Sequence, residues 1–210
     1  MQLAPLIQRL ENRLQAPLPG QAAHARLARG LSRDLSLKPP TNARIAAVLQ
    51  LIYPLDQQQA GIVYIRRSSR EPRDAHAGQI SFPGGSQEAA DQNLAFTALR
   101  EAEEEVGINP RQVQLLGALT PLYIPVSNFM VHPYLAYSEV RPDFIAQEAE
   151  VAEILEFPFA DFLRPDALST TSMTFGNGLH LPEVPYWDVG GEVIWGATSM
   201  LTAELVELLD

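Results

Sequence analysis

The sequence predicts an α/β (α+β) fold, with strands and helices layered around a shared core. Apolar segments of strand character recur at 43–55 (ARIAAVLQLIYPL), 61–67 (GIVYIRR), 113–119 (VQLLGAL), 129–138 (FMVHPYLAYS) and 151–157 (VAEILEF). Three other stretches space their apolar residues at helical intervals, near the N-terminus, in 91–107 and at 198–209. With 210 residues, 46% of them apolar and 19% charged, the chain is long enough for one substantial core and short for two.

Leu3, Ile7, Leu10 and Leu14 predict an amphipathic helix over 2–15. Prolines at 17, 19, 39 and 40 bracket a loop-rich passage, so residues 1–40 are expected to form an arm packed on a domain spanning 41–210. Strands 43–55 and 61–67 flank a polar turn at 56–59, and a charged loop then leads to the short strand QISF at 79–82. Strands 113–119 and 129–138 are joined by the proline-containing loop TPLYIPVSN. Strand 151–157 leads into the short helical segment FADFL. The passage 165–190 reads as turn-rich, GEVIWG as a last strand and TSMLTAELVELL as a closing amphipathic helix.

The stretch 82–108 (FPGGSQEAADQNLAFTALREAEEEVGI) organises the rest. A Pro-Gly-Gly turn feeds a helix with Asp91 or Asn93 as its N-cap and Gly107 as its stop. Ala95, Ala98, Leu99, Ala102 and Val106 form the expected buried stripe, and Glu101, Glu104 and Glu105 the opposing acidic face. Glu101 and Glu105 are like charges one turn apart, near a helix end that disfavours anions, so a cation is expected to offset them. Clustered carboxylates without Cys suit a hard ion, Mg²⁺ or Mn²⁺, better than zinc. A solvated acidic face is the competing reading.

Residues 100–108 (REAEEEVGI) match the second half of the Nudix box, REUxEExGU with U apolar, so the chain resembles the Nudix hydrolases. Gly85 and Asp91 resemble the glycine and acidic residue of the first half, with Asp in place of Glu and one extra residue before Arg100. The resemblance implies an α/β/α sandwich with a mixed, curved sheet and a loop–helix–loop catalytic motif. It also implies hydrolysis of a diphosphate linkage to a nucleoside. In that frame Glu101 and Glu105 hold the metal, and Glu104 completes its shell or acts as general base. Arg100 orients a glutamate carboxylate, and the glycines at 84 and 85 let backbone approach the ligand.

Four arginines (Arg66, Arg67, Arg70 and Arg73) precede the box and suit phosphate groups. The run from Arg67 and Ser68 through Arg73 and Gly78 to FPGG is similar to the upstream signature of the coenzyme A pyrophosphatase branch, with Val63-Tyr64-Ile65 in place of its LLT and with the Arg67–Arg73 and Arg73–Gly78 intervals each one residue longer. Resemblance extends over about 42–205. It implies CoA or acyl-CoA as substrate, with Arg67, Arg73 and Gly85 binding it. Another nucleoside diphosphate derivative, a dinucleotide or nucleotide sugar, is the alternative. A non-catalytic binding module on the same fold is the third reading.

The remaining residues narrow the chemistry. No cysteine is present, which excludes thiolate nucleophiles and disulfides, and no G-x-S-x-G elbow occurs. His132 lies inside an apolar strand and reads as structural, while His76 sits in the arginine loop, within reach of a substrate. Glu148 and Glu150 are alternative general bases. A formal charge of −10 argues against nucleic-acid and anionic-membrane surfaces. No apolar run is long enough to span a bilayer, and the expected location is cytoplasmic. The expected partner is a small nucleotide, with a homodimer left open.

Overall fold

A computed structural model of the chain describes residues 1–28, 35, 38–68, 76–174, 178 and 180–209. Its centre is a mixed sheet. Strand β1 (Arg44–Pro54) runs parallel to β7 (Phe129–Ser138) over nine pairs, from Arg44 opposite Phe129 to Ile52 opposite Tyr137. On its other edge β1 is shared. Its end pairs antiparallel with β2 (Ala60–Arg67), Ile52 lying opposite Ile62. Its start pairs with β4 (Gly84–Ser86), Ala47 lying opposite Gly85. Beyond Ile62, β2 pairs instead with β3 (Ile80–Ser81) and, along its length, with β8 (Val151–Pro158). The two strands therefore diverge, and the segment 80–86 closes the gap between them. Strands β5 (Val113–Ala118) and β6 (Leu122–Ile124) both pair antiparallel with β7.

Helices cover the two faces, giving the α/β/α sandwich. Alternation along β2 sends Ile62 and Tyr64 to one face and Val63 and Ile65 to the other. The second face receives α3 (Leu94–Val106) through Ala98, Ala102 and Val106. The first receives α1 (Leu3–Arg13), α2 (Gly20–Ala28) and α4 (Gly196–Glu207). Leu6, Leu10 and Leu27 from the N-terminal helices join the same apolar cluster as Phe162, Trp187 and Leu205. A second, three-stranded antiparallel sheet, β9 (Leu168–Thr174), β10 (His180–Val189) and β11 (Glu192–Trp195), packs beside it.

Four local expectations are corrected. The passage after Pro19 contains α2, whose Ala23, His24 and Leu27 are buried. So short a helix is held by packing against α4, not by its own propensity. The loop TPLYIPVSN contains β6, and the region 165–190 is mostly the hairpin β9–β10. Helix α4 is not amphipathic but buried on nearly every side, from Ser199 through Leu205. Its polar residues find partners inside: Thr202 Oγ1 lies 3.0 Å from the Tyr64 hydroxyl, and Glu204 accepts from Thr120 N–H and lies 3.2 Å from His24 Nε2. Among the described residues no helix is long and apolar enough to cross a membrane.

Candidate active site

The site begins with the turn that closes the β1–β2 gap. Phe82 is buried and stacks on Tyr64 with ring centroids 4.4 Å apart, and the Pro83 carbonyl accepts from Leu49 N–H at 2.8 Å. Gly84 then adopts φ +152°, and a Cβ there would sit 2.6 Å from the Val48 Cα. Only glycine lets this backbone lie against β1.

Helix α3 is fixed at both ends. The Asn93 side chain accepts from Phe96 N–H at 2.9 Å, and Gly107 ends the helix at φ 72°. Beyond β7 the chain returns to this end. Ile145 N–H donates to Val106 O at 3.0 Å and Gln147 N–H to Glu105 O at 2.9 Å, satisfying carbonyls that the helix leaves open.

Arg100 is the hub of the acidic face. Its Nε and one terminal nitrogen grip the Asp91 carboxylate at 2.9 and 3.0 Å. It also reaches the Ser86 carbonyl at 3.1 Å, Glu101 at 3.0 Å and Glu104 at 3.0 Å. Asp91 further accepts from the Thr97 hydroxyl at 2.8 Å and from Glu88 N–H at 2.9 Å. Arg100, then these two donors, hold the Asp91 carboxyl well below the usual carboxylate range. The bidentate partner of Arg100 is thus the aspartate of the box's first half. The extra residue in that interval is absorbed without breaking the contact.

Glu101 and Glu105 stand one turn apart, but Glu105 departs from the face opposite the apolar stripe on which its spacing placed it. Glu105 is only 2% exposed and lies among the stripe residues, so the acidic and apolar faces overlap there. Burial pushes its carboxyl up to about 8, against the opposing pull of the Gly84 N–H, which donates to it at 2.7 Å, and of Arg67. Burial also raises the Glu101 carboxyl, with Arg100 opposing. The Glu101 carboxyl carbon would lie 2.6 Å from any Cβ at residue 85, so Gly85 is the floor of its cradle. Glu104 points away, 59% exposed and paired with Arg100.

Two carboxylates held together in a desolvated cradle fit a hard divalent cation. Mg²⁺ is commonly bound by one or two carboxylates, with water and phosphate oxygens completing its shell. Among the described residues no group of three acidic or histidine side chains is gathered for a metal. Glu104 joins this pair only by leaving Arg100.

Of the upstream arginines, Arg66 is held by Glu192 at 2.6 Å and Glu153 at 3.0 Å, a link between β2, β8 and β11. Arg67 ends β2 close enough to pull on Glu105. Arg70 and Arg73 lie outside the described residues. His76 Nδ1 lies 3.0 Å from Gln79 Oε1, and His132 is half-buried on β7, its pKa lowered by desolvation. Glu148 and Glu150 are exposed, but only Glu150 is near enough to raise both Glu101 and Glu105. Its backbone is anchored beside them: Ser68 N–H donates to Glu150 O at 2.7 Å, and Glu150 N–H to Gln147 O at 2.9 Å. The capping role of 145–147 on α3 was not foreseen, since those residues carry no motif.

Fold and site define a hydrolase built on the Nudix helix, and comparison with known proteins agrees. The family model of the NUDIX domain matches residues 44–174, and the chain belongs to the Nudix hydrolase family. It is 33% identical over 180 residues to an uncharacterized Nudix hydrolase, NudL, of Citrobacter koseri, covering 83% of this chain and 90% of that one. Against the NudL of Cronobacter sakazakii the identity is 37% over 184 residues, covering 85% and 92%. A MutT/nudix family protein from Enterococcus faecalis shares the fold at TM-score 0.52, with 17% identity, over 98% of this chain and 74% of that one. As a Nudix hydrolase the protein acts on pyrophosphate bonds; such enzymes generally use divalent metal ions and bind nucleotide-derived substrates.

Proposed function

We propose that the enzyme hydrolyses the diphosphate of CoA or an acyl-CoA, releasing 4′-phosphopantetheine and adenosine 3′,5′-bisphosphate, in the cytoplasm. The observation that carries this reading is the placement of Arg67. It is the first residue of this chain that matches the CoA-like signature, and it stands within electrostatic reach of Glu105 at the end of β2.

Glu101 and Glu105 would hold the ion, Mg²⁺ or Mn²⁺, which when bound would neutralise phosphate charge and lower the pKa of a water. The protein's own work is positional. Arg100, locked on Asp91, keeps Glu101 in one orientation over Gly85. Gly84 and Gly85 let a diphosphate approach the backbone. Arg67 binds phosphate oxygen, and Arg73 lies in the same signature. A carboxylate accepts the proton as the water oxygen attacks phosphorus and the bond to the leaving phosphate oxygen breaks. Glu104 serves if it swings from Arg100; Glu150 serves from the turn that precedes β8.

The test is product analysis. Purified protein with Mg²⁺ or Mn²⁺ is incubated with CoA, an acyl-CoA, NADH, a diadenosine polyphosphate and a nucleotide sugar. Release of adenosine 3′,5′-bisphosphate as the dominant product supports the proposal; preferential cleavage of another compound retires CoA.

One observation favours that second reading, a dinucleotide or nucleotide-sugar hydrolase. Arg66 is committed to Glu192 and Glu153, so the cluster offers fewer cations to a 3′-phosphate than its sequence promises. Arg67→Ala and Arg73→Ala separate the two readings. Under the first, they impair CoA turnover more than turnover of a substrate lacking the 3′-phosphate; equal losses support the second.

A further inference from the structure

A cavity opens on the sheet face opposite α3. It has a volume of about 380 Å³, within the range of small-molecule sites. Its lining comes from α1, α2, α4, the 162–165 turn and the β9–β10 hairpin, and none of the Nudix-box residues takes part. The walls are apolar and partly aromatic, with Phe162 and the indole of Trp187, whose N–H is already donated to Ser199 O at 3.1 Å. Around them, among the described residues, stand Arg9, Arg26 and Arg164, with Glu207 as the acidic lining residue. Three of the chain's 15 basic side chains thus meet at one place in a protein of net charge −10.

We propose that this cavity binds an amphiphilic anion, an unbranched apolar chain ending in a carboxylate. Each component of the site excludes a simpler ligand. A free inorganic anion satisfies the guanidinium groups but leaves the apolar wall wet. A neutral alkyl chain covers the wall but desolvates arginines without pairing them. The arginines retain donors for this task. Arg9 donates to the Leu209 carbonyl, Arg26 gives one nitrogen to Glu207 at 2.6 Å and is 56% exposed, and Arg164 gives Nε to Asp166 at 3.2 Å and a terminal nitrogen to the Asp188 carbonyl at 3.5 Å and is 47% exposed. A guanidinium has five N–H donors in a planar fork, so one or two such contacts do not exhaust it. A ligand seated here touches α1, α2 and α4 together, fastening the N-terminal helices to the body.

The test uses decanoate, with decanol and inorganic phosphate as controls. Binding is followed by thermal shift and by intrinsic tryptophan fluorescence, to which Trp187 in the cavity wall contributes. Expected are saturation by decanoate at or below about 1 mM and at least about tenfold weaker binding of decanol and of phosphate. The double variant Arg26→Gln/Arg164→Gln should bind decanoate at least about tenfold more weakly, with its pyrophosphate hydrolysis unchanged. Leu168→Trp, at the 37% exposed rim, closes the mouth without removing charge and should also abolish binding. Glu105→Gln should leave decanoate binding intact, which separates this cavity from the catalytic helix. Equal binding of decanol, undiminished binding in the double and Leu168→Trp variants, or no saturation with decanoate overturns the proposal.

Discussion

The Glu105 carboxylate accepts the Gly84 N–H at 2.7 Å, so the buried acid of the helix and the glycine turn hold each other in place. That contact opposes only part of the cost of burying a carboxylate with the neighbouring carboxylate of Glu101.

Glu105→Gln should therefore stabilise the metal-free protein while abolishing hydrolysis. The folded carboxyl titrates at about 8, above its ordinary 4.5. Its contribution to stability is full below 4.5 and is lost as pH rises through about 8, because the folded state then gives up a proton that it binds more tightly than the unfolded chain. Thermal unfolding in EDTA should show wild type falling relative to the variant between pH 5 and 8. At pH 8 the variant should melt higher by at least about 3 °C. A flat difference across this window counts against a desolvated Glu105.

Asp91 works in the opposite direction. Its pKa is depressed, so its stabilising link to Arg100 is present above the ordinary carboxylate pKa of 3.8 and is lost as pH falls below that value. The melting difference between wild type and Asp91→Asn should hold steady from neutrality to about pH 4 and shrink below it. Activity at pH 7 should drop about 10–100-fold through a loosened Arg100. Full activity in this variant would show that Arg100 needs no anchor.

The two glycines of the turn should separate folding from catalysis. A Cβ at residue 84 meets the backbone of β1, which cannot yield, so Gly84→Ala should lower the melting temperature by about 4 °C or more. A Cβ at residue 85 meets the movable end of Glu101. Gly85→Ala should fold nearly as well as wild type yet lose about 100-fold in kcat, because the carboxylate is displaced from its cradle.

Glu150→Gln should cost more in kcat than Glu148→Gln, with little change in KM. Its backbone is tied to Ser68 and Gln147, and its charge reaches both buried glutamates. Should Glu104→Gln alone silence the enzyme, the proton acceptor is Glu104.

Leu10 tests the N-terminal helices. It is fully buried in the main apolar cluster, so Leu10→Ala should destabilise the whole protein by about 2–5 kcal/mol in one cooperative transition. A separate early transition would instead mark residues 1–28 as an independent unit.

The strands β1, β2, β7 and β8 and helix α3 were legible because apolar periodicity, caps and glycines agree there. Pairing order was not, since nothing in 43–55 announces that its first half pairs with a glycine turn and its second half with β2. Helix α2 and the β9–β10 hairpin were missed for a related reason. Their local sequences are weakly patterned, and tertiary contacts hold them. At the site, the residue types were readable and their partners were not. Arg100 grips Asp91 in addition to the glutamates Glu101 and Glu104, and Glu105 faces the core.

The divergence of β1 and β2 has a bearing on how such an enzyme can change its diet. The turn 82–86 is stitched into the sheet, whereas the arginine-bearing excursion begins and ends at one closed base. There Arg67 N–H donates to Gln79 O and Gly78 N–H to Arg67 O, each at 3.0 Å. Length changes between Ser68 and His76 need not break these base contacts, and closing a loop twice as long costs only about 0.6 kcal/mol more. The longer intervals in this chain are therefore tolerable to the hydrolytic machinery, which leaves the choice of leaving group free to drift while the bond-breaking apparatus stays put.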